Sequence, residues 1–368
     1  MKIVCTRSEL LKGANIVSGA VSQKSTLPLL SNLLFEAKDD KLSLAATDLE
    51  VAIKTTIKAQ VLNEGGITLP SKLIADIIKK TATEEIEISV DEQSRVTVKS
   101  GRTKYFIVGT SKDEFPGAID LDNGKKFTMP ASVLKEMLIK TKFAVSTDET
   151  RYALNGVYFI IDKGDMITVA TDGKRLTYVK KTGITSKQQS MNFIVPSKAI
   201  EELLKICSAL PNEDVEIGIS ENQIGFQIKE TVLRSRLVDG NFPNYEQVIP
   251  KETKGSFKAN VKELLAATER VALVASGRPV PVKYSLSADK LLLYAKEQGK
   301  GEGSDEMEVT YKGNPFEAAY NPVYVVDMLK TLDCEDVIFE FTTAVNPALM
   351  KPGDDSGYLY IIMPMRLD

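Results

Sequence analysis

The same strand-and-helix pattern occurs three times along the chain, and this internal repeat constrains the fold more strongly than any other feature of the sequence. The three copies begin as IVCTRSELLKGANIVSGAVS from Ile3, FTMPASVLKEMLIKTKFAVS from Phe127 and FKANVKELLAATERVALVAS from Phe257. Offsets of 124 and 130 residues align Leu10, Leu134 and Leu264. Because domains are commonly roughly 100 to 150 residues long, the repeat predicts three similar domains in tandem.

Each repeat divides into two halves, since a second strand-and-helix segment follows in every third of the chain. These segments are ITLPSKLIADIIKKT from Ile67, FIVPSKAIEELLKIC from Phe193 and AAYNPVYVVDMLKTL from Ala318. Stretches with an apolar residue at every second position accompany the helices, and this period is typical of half-buried strands. Six helices are predicted at 8–17, 71–81, 131–145, 197–207, 261–274 and 323–334.

The order of these elements predicts an α+β fold. Each third reads roughly as one strand, one helix and three strands, twice over. Two short helices with an apolar stripe must then cover one face of an antiparallel sheet. We predict domains at 1–122, 127–250 and 255–368, with linkers near 116–125 and 243–255 that are rich in Pro, Gly and charge.

The composition excludes much of hydrolytic chemistry. The 368 residues include no His, so a Ser-His-Asp triad, a Cys-His pair and a His-ligated metal site are all ruled out. Cys5, Cys207 and Cys334 lie far apart without the C-x-x-C spacing of a zinc or redox site. No phosphate-binding glycine loop is present. We predict a protein that is not an enzyme, with no catalytic residues, no metal and no cofactor. An enzyme that uses a Lys or a pair of carboxylates stays open as an alternative.

Localisation is predicted from the hydropathy pattern. The first residues, MKIVCTRSELLKG, are charged, and no apolar run approaches the roughly 20 residues that a membrane span needs. We therefore expect a cytoplasmic protein without membrane contact. Its net charge of −3 also means that any contact with nucleic acid depends on where the basic residues lie. The six predicted helices together sum to +3.

Five short segments give the chain a family resemblance. They are TLPLLSNLLFE after the first helix, RYALNG at Arg151, ATDGKRL at Ala170, LVDGNFPNY at Leu237 and the terminal MPMRL. In this order and at these spacings the chain resembles the bacterial sliding clamp, the beta subunit of DNA polymerase III, along its whole length. The resemblance implies a homodimer in which two chains close head to tail into a six-domain ring around duplex DNA, with the helices facing the hole.

The resemblance also implies the function and the partners. A clamp of this kind is a non-catalytic processivity subunit that tethers the replicative DNA polymerase to its template. The implied partners are double-stranded DNA, the replicative polymerase, an ATP-dependent clamp loader, other clamp-binding replication and repair proteins and a second copy of the chain. The alternative from another class is a monomeric repeat adaptor that binds protein peptides without encircling DNA.

A pocket for short apolar peptides, between the second and third domains, follows from the same resemblance. The matching positions are Leu154, Thr171, Gly173, Lys174, Arg175, Leu176, Pro243, Val248, Asn321, Tyr324, Val345, Ile361, Ile362, Met363, Pro364, Met365 and Arg366. Methionine suits such a site because its flexible side chain repacks around different ligands. The chain departs from the enterobacterial pattern at Lys174, where His is common, at Gln247, where Arg is common, and at Asp368, which extends the tail.

DNA contacts and a dimer joint are implied as well. For DNA the positions are Lys24, Lys72, Arg151, Tyr152, Lys198 and, by repeat equivalence with Lys24, Arg278. Basic side chains bind phosphate whatever the base sequence, and Tyr can stack on an exposed base. The joint between the first domain of one chain and the third domain of the other involves Lys104, Tyr105, Phe106, Val108 and Leu273.

The last residues, YLYIIMPMRLD, are unusually apolar for a chain end. We predict that Tyr358–Ile362 completes the sheet of the third repeat. Residues 363–366 are expected to end that strand while their side chains stay exposed as one wall of the peptide pocket. Pro364 supports this division, because a residue without an N–H cannot continue a central strand.

Overall fold

Apart from three short additional strands in the described residues, every third of the chain repeats the order strand, helix and three strands twice, as the sequence predicts. The computed structural model describes residues 1–22, 27–117, 124–184, 190–275, 280–354 and 357–366. Contacts divide the chain into two compact units. Unit 1 is Met1–Lys135 with Lys198–Leu237, and unit 2 is Glu136–Ser197 with Val238–Asp368. The middle repeat therefore contributes to both units.

Six α-helices occupy the described residues, at the six predicted places. They are α1 (Arg7–Ser18), α2 (Ser71–Lys80), α3 (Ala131–Lys142), α4 (Ser197–Ala209), α5 (Val261–Ala272) and α6 (Pro322–Leu329). The predicted ends of α3 at 145 and of α6 at 334 are wrong. After α6, the backbone of Lys330 donates to Val326 and the Thr331 hydroxyl donates to Met328. These two bonds satisfy the last carbonyls, so the chain turns away although the apolar pattern continues.

Unit 1 contains two antiparallel sheets. Its strands are β1 (Lys2–Thr6), β2 (Asn32–Lys38), β3 (Lys41–Thr47), β4 (Val51–Lys58), β5 (Gln60–Asn63), β6 (Gly65–Pro70), β7 (Glu85–Val90), β8 (Arg95–Ser100), β9 (Thr103–Val108), β10 (Thr110–Ser111) and β11 (Lys125–Pro130), with β16 (Asp214–Ile219), β17 (Gln223–Ile228) and β18 (Thr231–Arg236) from later in the chain. One sheet has five strands in the order β5-β1-β7-β8-β9. The other has nine, in the order β10-β6-β2-β3-β4-β18-β17-β16-β11.

Unit 2 also contains two antiparallel sheets. Its strands are β12 (Gly156–Asp162), β13 (Asp165–Thr171), β14 (Arg175–Lys181), β15 (Ser190–Pro196), β19 (Gly255–Asn260), β20 (Val282–Ser287), β21 (Lys290–Glu297), β22 (Gly301–Glu308), β23 (Thr310–Tyr311), β24 (Phe316–Tyr320), β25 (Asp336–Phe341), β26 (Ala348–Pro352) and β27 (Tyr358–Ile362). The nine-stranded sheet runs β15-β12-β13-β14-β27-β26-β25-β19-β23. The four-stranded sheet runs β22-β21-β20-β24.

The repeats are joined by sheet pairing. In unit 1, β4 of the first repeat pairs with β18 of the second, and a hydrogen bond of 2.8 Å between the buried hydroxyls of Thr55 and Thr231 crosses this junction. In unit 2, β14 of the second repeat pairs with β27 of the third. Both junctions follow one rule, since the last long strand of a first half meets the last strand of another repeat's second half. Each junction combines a five-strand set with a four-strand set.

The core lies between the helices and the sheets. The three residues that the repeat aligns, Leu10, Leu134 and Leu264, are all fully buried. The apolar stripes of α1 and α2 pack beside each other in unit 1, and those of α5 and α6 do so in unit 2. No helix in the described ranges is long and apolar enough to cross a membrane.

Candidate functional site

A tight loop follows β13 and begins the candidate peptide site. The Thr171 hydroxyl donates to the Arg175 carbonyl at 2.6 Å and accepts from the Gly173 N–H at 3.0 Å. One carboxylate oxygen of Asp172 accepts the N–H groups of Lys174 and Arg175 at 2.9 and 3.0 Å. Gly173 has a φ of +85°, and a Cβ there would lie 2.8 Å from the Arg151 guanidinium. Both features favour a glycine at this position.

Arg175 holds the loop against two helices. Its guanidinium donates to Asp172 at 3.0 Å, to the Asp327 carboxylate of α6 at 2.6 Å and to the Phe143 carbonyl beyond α3 at 2.6 Å. The same group lies 4.3 Å from the ring centroid of Tyr324. Burial disfavours its charge, but the hydrogen bond to Asp327 and the nearby charges outweigh this effect and raise the pKa of Arg175. The Arg175 guanidinium is therefore held by other groups of the protein, and it fixes the position of the loop.

Replacing Arg175 by Ala is expected to lower the free energy of unfolding by about 3 kcal/mol, because two carboxylates and a carbonyl lose their partner. This value is at the low end for a buried pair because the Asp327 side chain keeps 32% of its surface exposed. Urea denaturation followed by circular dichroism measures the change. Lys174→Ala is the matched control and should change stability by less than about 0.5 kcal/mol, because Lys174 is an exposed loop residue. Equal stability of the two variants would contradict the positioning role.

The floor of the site is an apolar cluster on one face of the β13–β14–β27–β26 region. Its buried members are Val169, Leu176, Leu349 and Ile361. The segment after β18 covers them, because Phe242 stacks on Tyr158 with ring centroids 4.7 Å apart and Tyr245 packs against both Tyr158 and Tyr178. Burial raises the pKa of Tyr245 to about 12. The first part of the predicted linker at 243–255, including the 3-10 turn Tyr245–Val248, is packed on unit 2.

The tail follows β27 but is not a strand, so the prediction that residues 363–366 end the repeat as a strand is wrong. β27 ends at Ile362, as predicted for the sheet itself. Beyond it the Met363 N–H donates to the Lys174 carbonyl at 2.9 Å and the Met365 N–H donates to the Ala319 carbonyl at 2.7 Å. Pro364, between them, has no N–H to contribute. Two backbone bonds hold the tail, and the side chains of Met363 and Arg366 stay exposed.

We use the name tail surface for four predicted pocket positions that are exposed in the structure: Gly173, Val248, Val345 and Met363. Val248, Val345 and Met363 are 43%, 80% and 42% exposed. Exposed apolar side chains beside a buried apolar floor are typical of a surface that binds another chain.

The other predicted pocket residues fall into two groups. Leu176 and Ile361 are part of the floor, and Leu154 and Ile362 are buried outside that cluster. Asn321 caps α6 by accepting from the Val323 N–H at 3.0 Å. Thr171 is buried, Tyr324, Pro364 and Met365 are half-buried, and Lys174, Pro243 and Arg366 are exposed. All seventeen predicted positions belong to unit 2. Sequence reasoning missed Asp327, Phe143, Phe242 and Tyr245. Of these, only Phe242 and Tyr245 could have been found from the sequence, because they lie within the segment LVDGNFPNY.

The candidate DNA residues lie on loops and helix starts. Lys72 and Lys198 are in the first turns of α2 and α4, which carry no acidic residue there. Lys72 is exposed, whereas Lys198 forms an ion pair with Asp48. Arg151 pairs with Asp148 at 3.2 Å, and Tyr152 is 61% exposed. Lys24 and Arg278 lie outside the described residues. A Lys at a helix start opposes the helix dipole, so its position favours a role other than stability.

The candidate dimer residues lie at two sheet ends. Phe106 and Val108 project from β9, the last strand of the five-stranded sheet, and are 79% and 78% exposed. Lys104 is exposed beside them and Tyr105 is half-buried. Leu273, directly after α5, is 75% exposed. Apolar side chains on an open sheet edge are costly in a monomer and favour pairing with another chain.

Comparison with known proteins covers the whole chain. Sequence models of the DNA polymerase III beta subunit match in order: the N-terminal domain at residues 1–120, the central domain at 128–244 and the C-terminal domain at 246–366. The beta sliding clamp of Chlamydia pneumoniae is 34% identical over 367 residues, covering 100% of this chain and 99% of that protein. The beta sliding clamp of Vibrio cholerae is 30% identical over 369 residues, with both chains covered completely.

Solved structures agree with these sequence matches. The DNA polymerase sliding clamp of Bacillus subtilis superposes with a TM-score of 0.95 at 29% identity, covering 100% of both chains. The DNA polymerase III subunit beta of Bartonella birtlesii, solved bound to griselimycin, gives a TM-score of 0.95 at 34% identity with the same coverage. Three consecutive family models and full-length relatives together show that this chain belongs to the DNA polymerase III beta subunit family, the beta sliding clamps.

Proposed function

We propose that two copies of this chain form a closed ring that encircles duplex DNA and tethers the replicative polymerase, and other replication and repair proteins, through the tail surface. The ring itself carries out no reaction. A separate ATP-dependent loader opens and closes it on DNA. The native mass of the ring is therefore twice the chain mass of 40.4 kDa. Sedimentation equilibrium tests this mass directly. A monomeric native mass would favour the adaptor alternative.

The single observation that carries this proposal is the pair of incomplete sheets. Each junction inside the chain joins five strands to four. The two sheets that contain no such junction have five strands, ending in β9, and four strands, ending in β22. β9 is the last long strand of a second half and β22 the last long strand of a first half, so their pairing would follow the rule of the two internal junctions.

Head-to-tail pairing completes both sheets in a dimer. Pairing β9 of one protomer with β22 of its partner makes another nine-stranded sheet, and two-fold symmetry repeats the contact at the other end. The exposed Phe106 and Val108 of β9 then become buried, as does Leu273 beside β22. Closed pairing removes the open edges that would otherwise recruit other chains.

DNA is held by weak phosphate contacts from the helices. Lys72 and Lys198 extend from helix starts, and Arg151 and Tyr152 from a loop. The ion pair of Lys198 with Asp48 moderates its charge. Since each neutralised phosphate adds affinity that sliding must break, a few partly paired cations suit a ring that moves along DNA.

Replacing Lys72 by Ala should reduce the salt dependence of direct DNA binding. Loss of one phosphate contact lowers the slope of log K against log salt concentration by about 1. Fluorescence anisotropy with a labelled 30-base-pair duplex at several salt concentrations measures the slope. Lys296→Ala is the matched control, because Lys296 is an exposed residue of β21. An unchanged slope for Lys72→Ala would remove Lys72 from the DNA contacts.

A further inference from the structure

The loop after β3 has the same geometry as the peptide-site loop after β13. The Thr47 hydroxyl donates to the Val51 carbonyl and accepts from the Leu49 N–H, both at 3.0 Å. The Asp48 carboxylate accepts the N–H groups of Glu50 and Val51 at 3.0 and 2.7 Å. These are the four bonds that Thr171 and Asp172 make 124 residues later. The two loops are therefore structural copies.

The strand beside each loop is equivalent too. Val51 and Ala52 pair with Ser235 and Arg234, as Arg175 and Leu176 pair with Ile362 and Ile361. At the end of β18 the Arg236 N–H donates to the Glu50 carbonyl at 2.9 Å. The Met363 N–H makes the same bond to Lys174, also at 2.9 Å. Arg236 thus occupies the position that Met363 occupies on the tail surface.

The side chains of the two sites differ in chemistry. The positions held by Leu176, Ile361 and Met363 in one site are held by Ala52, Arg234 and Arg236 in the other. Ala45, Ala52 and Phe115 keep an apolar cluster at this place in unit 1. The two guanidinium groups add a basic wall to the cleft. Such a wall would select acidic groups and reject apolar peptides that lack them.

A cleft of about 330 Å³ lies at this position in unit 1. Its charged lining consists of Arg234 and Arg236 against Glu50 alone. Arg234 is half-buried and donates to Gln223, which orients its guanidinium, and Arg236 is exposed. The net charge of the lining is therefore positive and complements an acidic ligand.

Leu49 at the rim of the cleft is held in a strained conformation. Its φ is +78°, close to the +85° of Gly173, although a side chain disfavours this region. The side chain is nevertheless 49% exposed, so burial does not offset the strain. An exposed apolar residue that is kept in a strained backbone beside a cleft favours a binding role. Pro116 adds a second apolar group to the lining.

We propose that this cleft is a second peptide-binding site, which takes a short extended segment of a partner protein with an acidic side chain next to an apolar one. The acidic group pairs with Arg236 and Arg234, and the apolar group packs on Leu49 and Pro116. The site is independent of the tail surface and differs from it in specificity. One ring of two chains would then carry two pairs of peptide sites with different preferences.

The test is a fluorescence anisotropy titration of the full-length protein with a fluorescein-labelled hexapeptide of alternating Leu and Asp. A Leu–Asn hexapeptide is the neutral probe. Arg236→Ala should weaken binding of the acidic probe about tenfold, the low end for a hydrogen bond to a charged group. Arg236→Lys should recover part of the lost affinity for the acidic probe. Arg95→Ala, another exposed arginine in unit 1, is the matched control and should have no effect.

Two further variants keep the result interpretable. Leu49→Gly relieves the strained φ and so preserves the fold. It should nevertheless weaken binding of the acidic probe at least threefold. Deleting residues 363–368 should leave the affinity of this probe unchanged, because it does not use the tail surface. The proposal is overturned if the acidic probe does not bind, if the Leu–Asn probe binds equally well, if the truncation abolishes binding or if Arg236→Ala binds like the parent chain.

Discussion

Replacing Leu273 by Asp is expected to convert the dimer into monomers at micromolar concentration. Leu273 is 75% exposed in the single chain, so the substitution does little harm to the protomer fold. In the ring the new carboxylate would be buried without a partner at both joints. An uncompensated buried charge costs about 3–5 kcal/mol, which corresponds to roughly a hundredfold to several thousandfold weaker association at each joint.

Sedimentation equilibrium over a range of concentrations measures this change, and circular dichroism checks that the protomer stays folded. Leu292→Asp is the matched control, because Leu292 is 39% exposed on β21, one strand inside the β22 edge. This control should stay dimeric. A Leu273→Asp chain that remained fully dimeric at low concentration would exclude Leu273 from the joint.

Deleting residues 363–368 is expected to abolish peptide and polymerase binding while the dimer persists. The truncation removes Met363 from the tail surface together with the two backbone bonds to Lys174 and Ala319. β27 keeps its pairing with β14 and β26, so the sheet stays complete. Loss of apolar anchors at the centre of a binding surface costs about 2–4 kcal/mol, or roughly thirty-fold to several hundred-fold in affinity.

Titration of a labelled apolar clamp-binding peptide against the intact and truncated chains measures this effect, with sedimentation as the control for the dimer. Met363→Leu is a matched variant that keeps an apolar side chain and should bind within a few-fold of the parent chain. If the truncated dimer bound the peptide with unchanged affinity, the tail would have only a structural role.

The repeat architecture was predictable because local patterns repeat with nearly constant spacing. The alignment of Leu10, Leu134 and Leu264 identified three buried positions in advance, and all six helices occur where their apolar stripes predicted them. Helix ends were less predictable. Whether α6 continues past Leu329 depends on which group satisfies its last carbonyls, and the Thr331 hydroxyl that does so leaves no mark in the apolar pattern.

Contacts between distant segments could not be read from the sequence. Arg175 and Asp327 are 152 residues apart, and neither the spacing nor the composition relates them. The pairing of β4 with β18, which joins two repeats, is equally remote in sequence. The apolar run of β27 extends into the tail and so predicts that the strand continues there. The structure leaves the tail outside the sheet, because Pro364 has no N–H and its two neighbours each make only one of these backbone bonds. Its place in the candidate site remains a prediction, as do the other site residues.

Retention on circular DNA is the most direct test of encirclement. The protein is loaded with an ATP-driven clamp loader onto a nicked circular plasmid, washed in high salt and separated by gel filtration, before and after cleavage of the plasmid at one site. We predict that the protein stays with the circle through the wash, because a closed ring is held by topology and needs few phosphate contacts. It should leave within minutes once cleavage gives the DNA free ends. Equal retention on the circular and the cleaved plasmid would contradict encirclement.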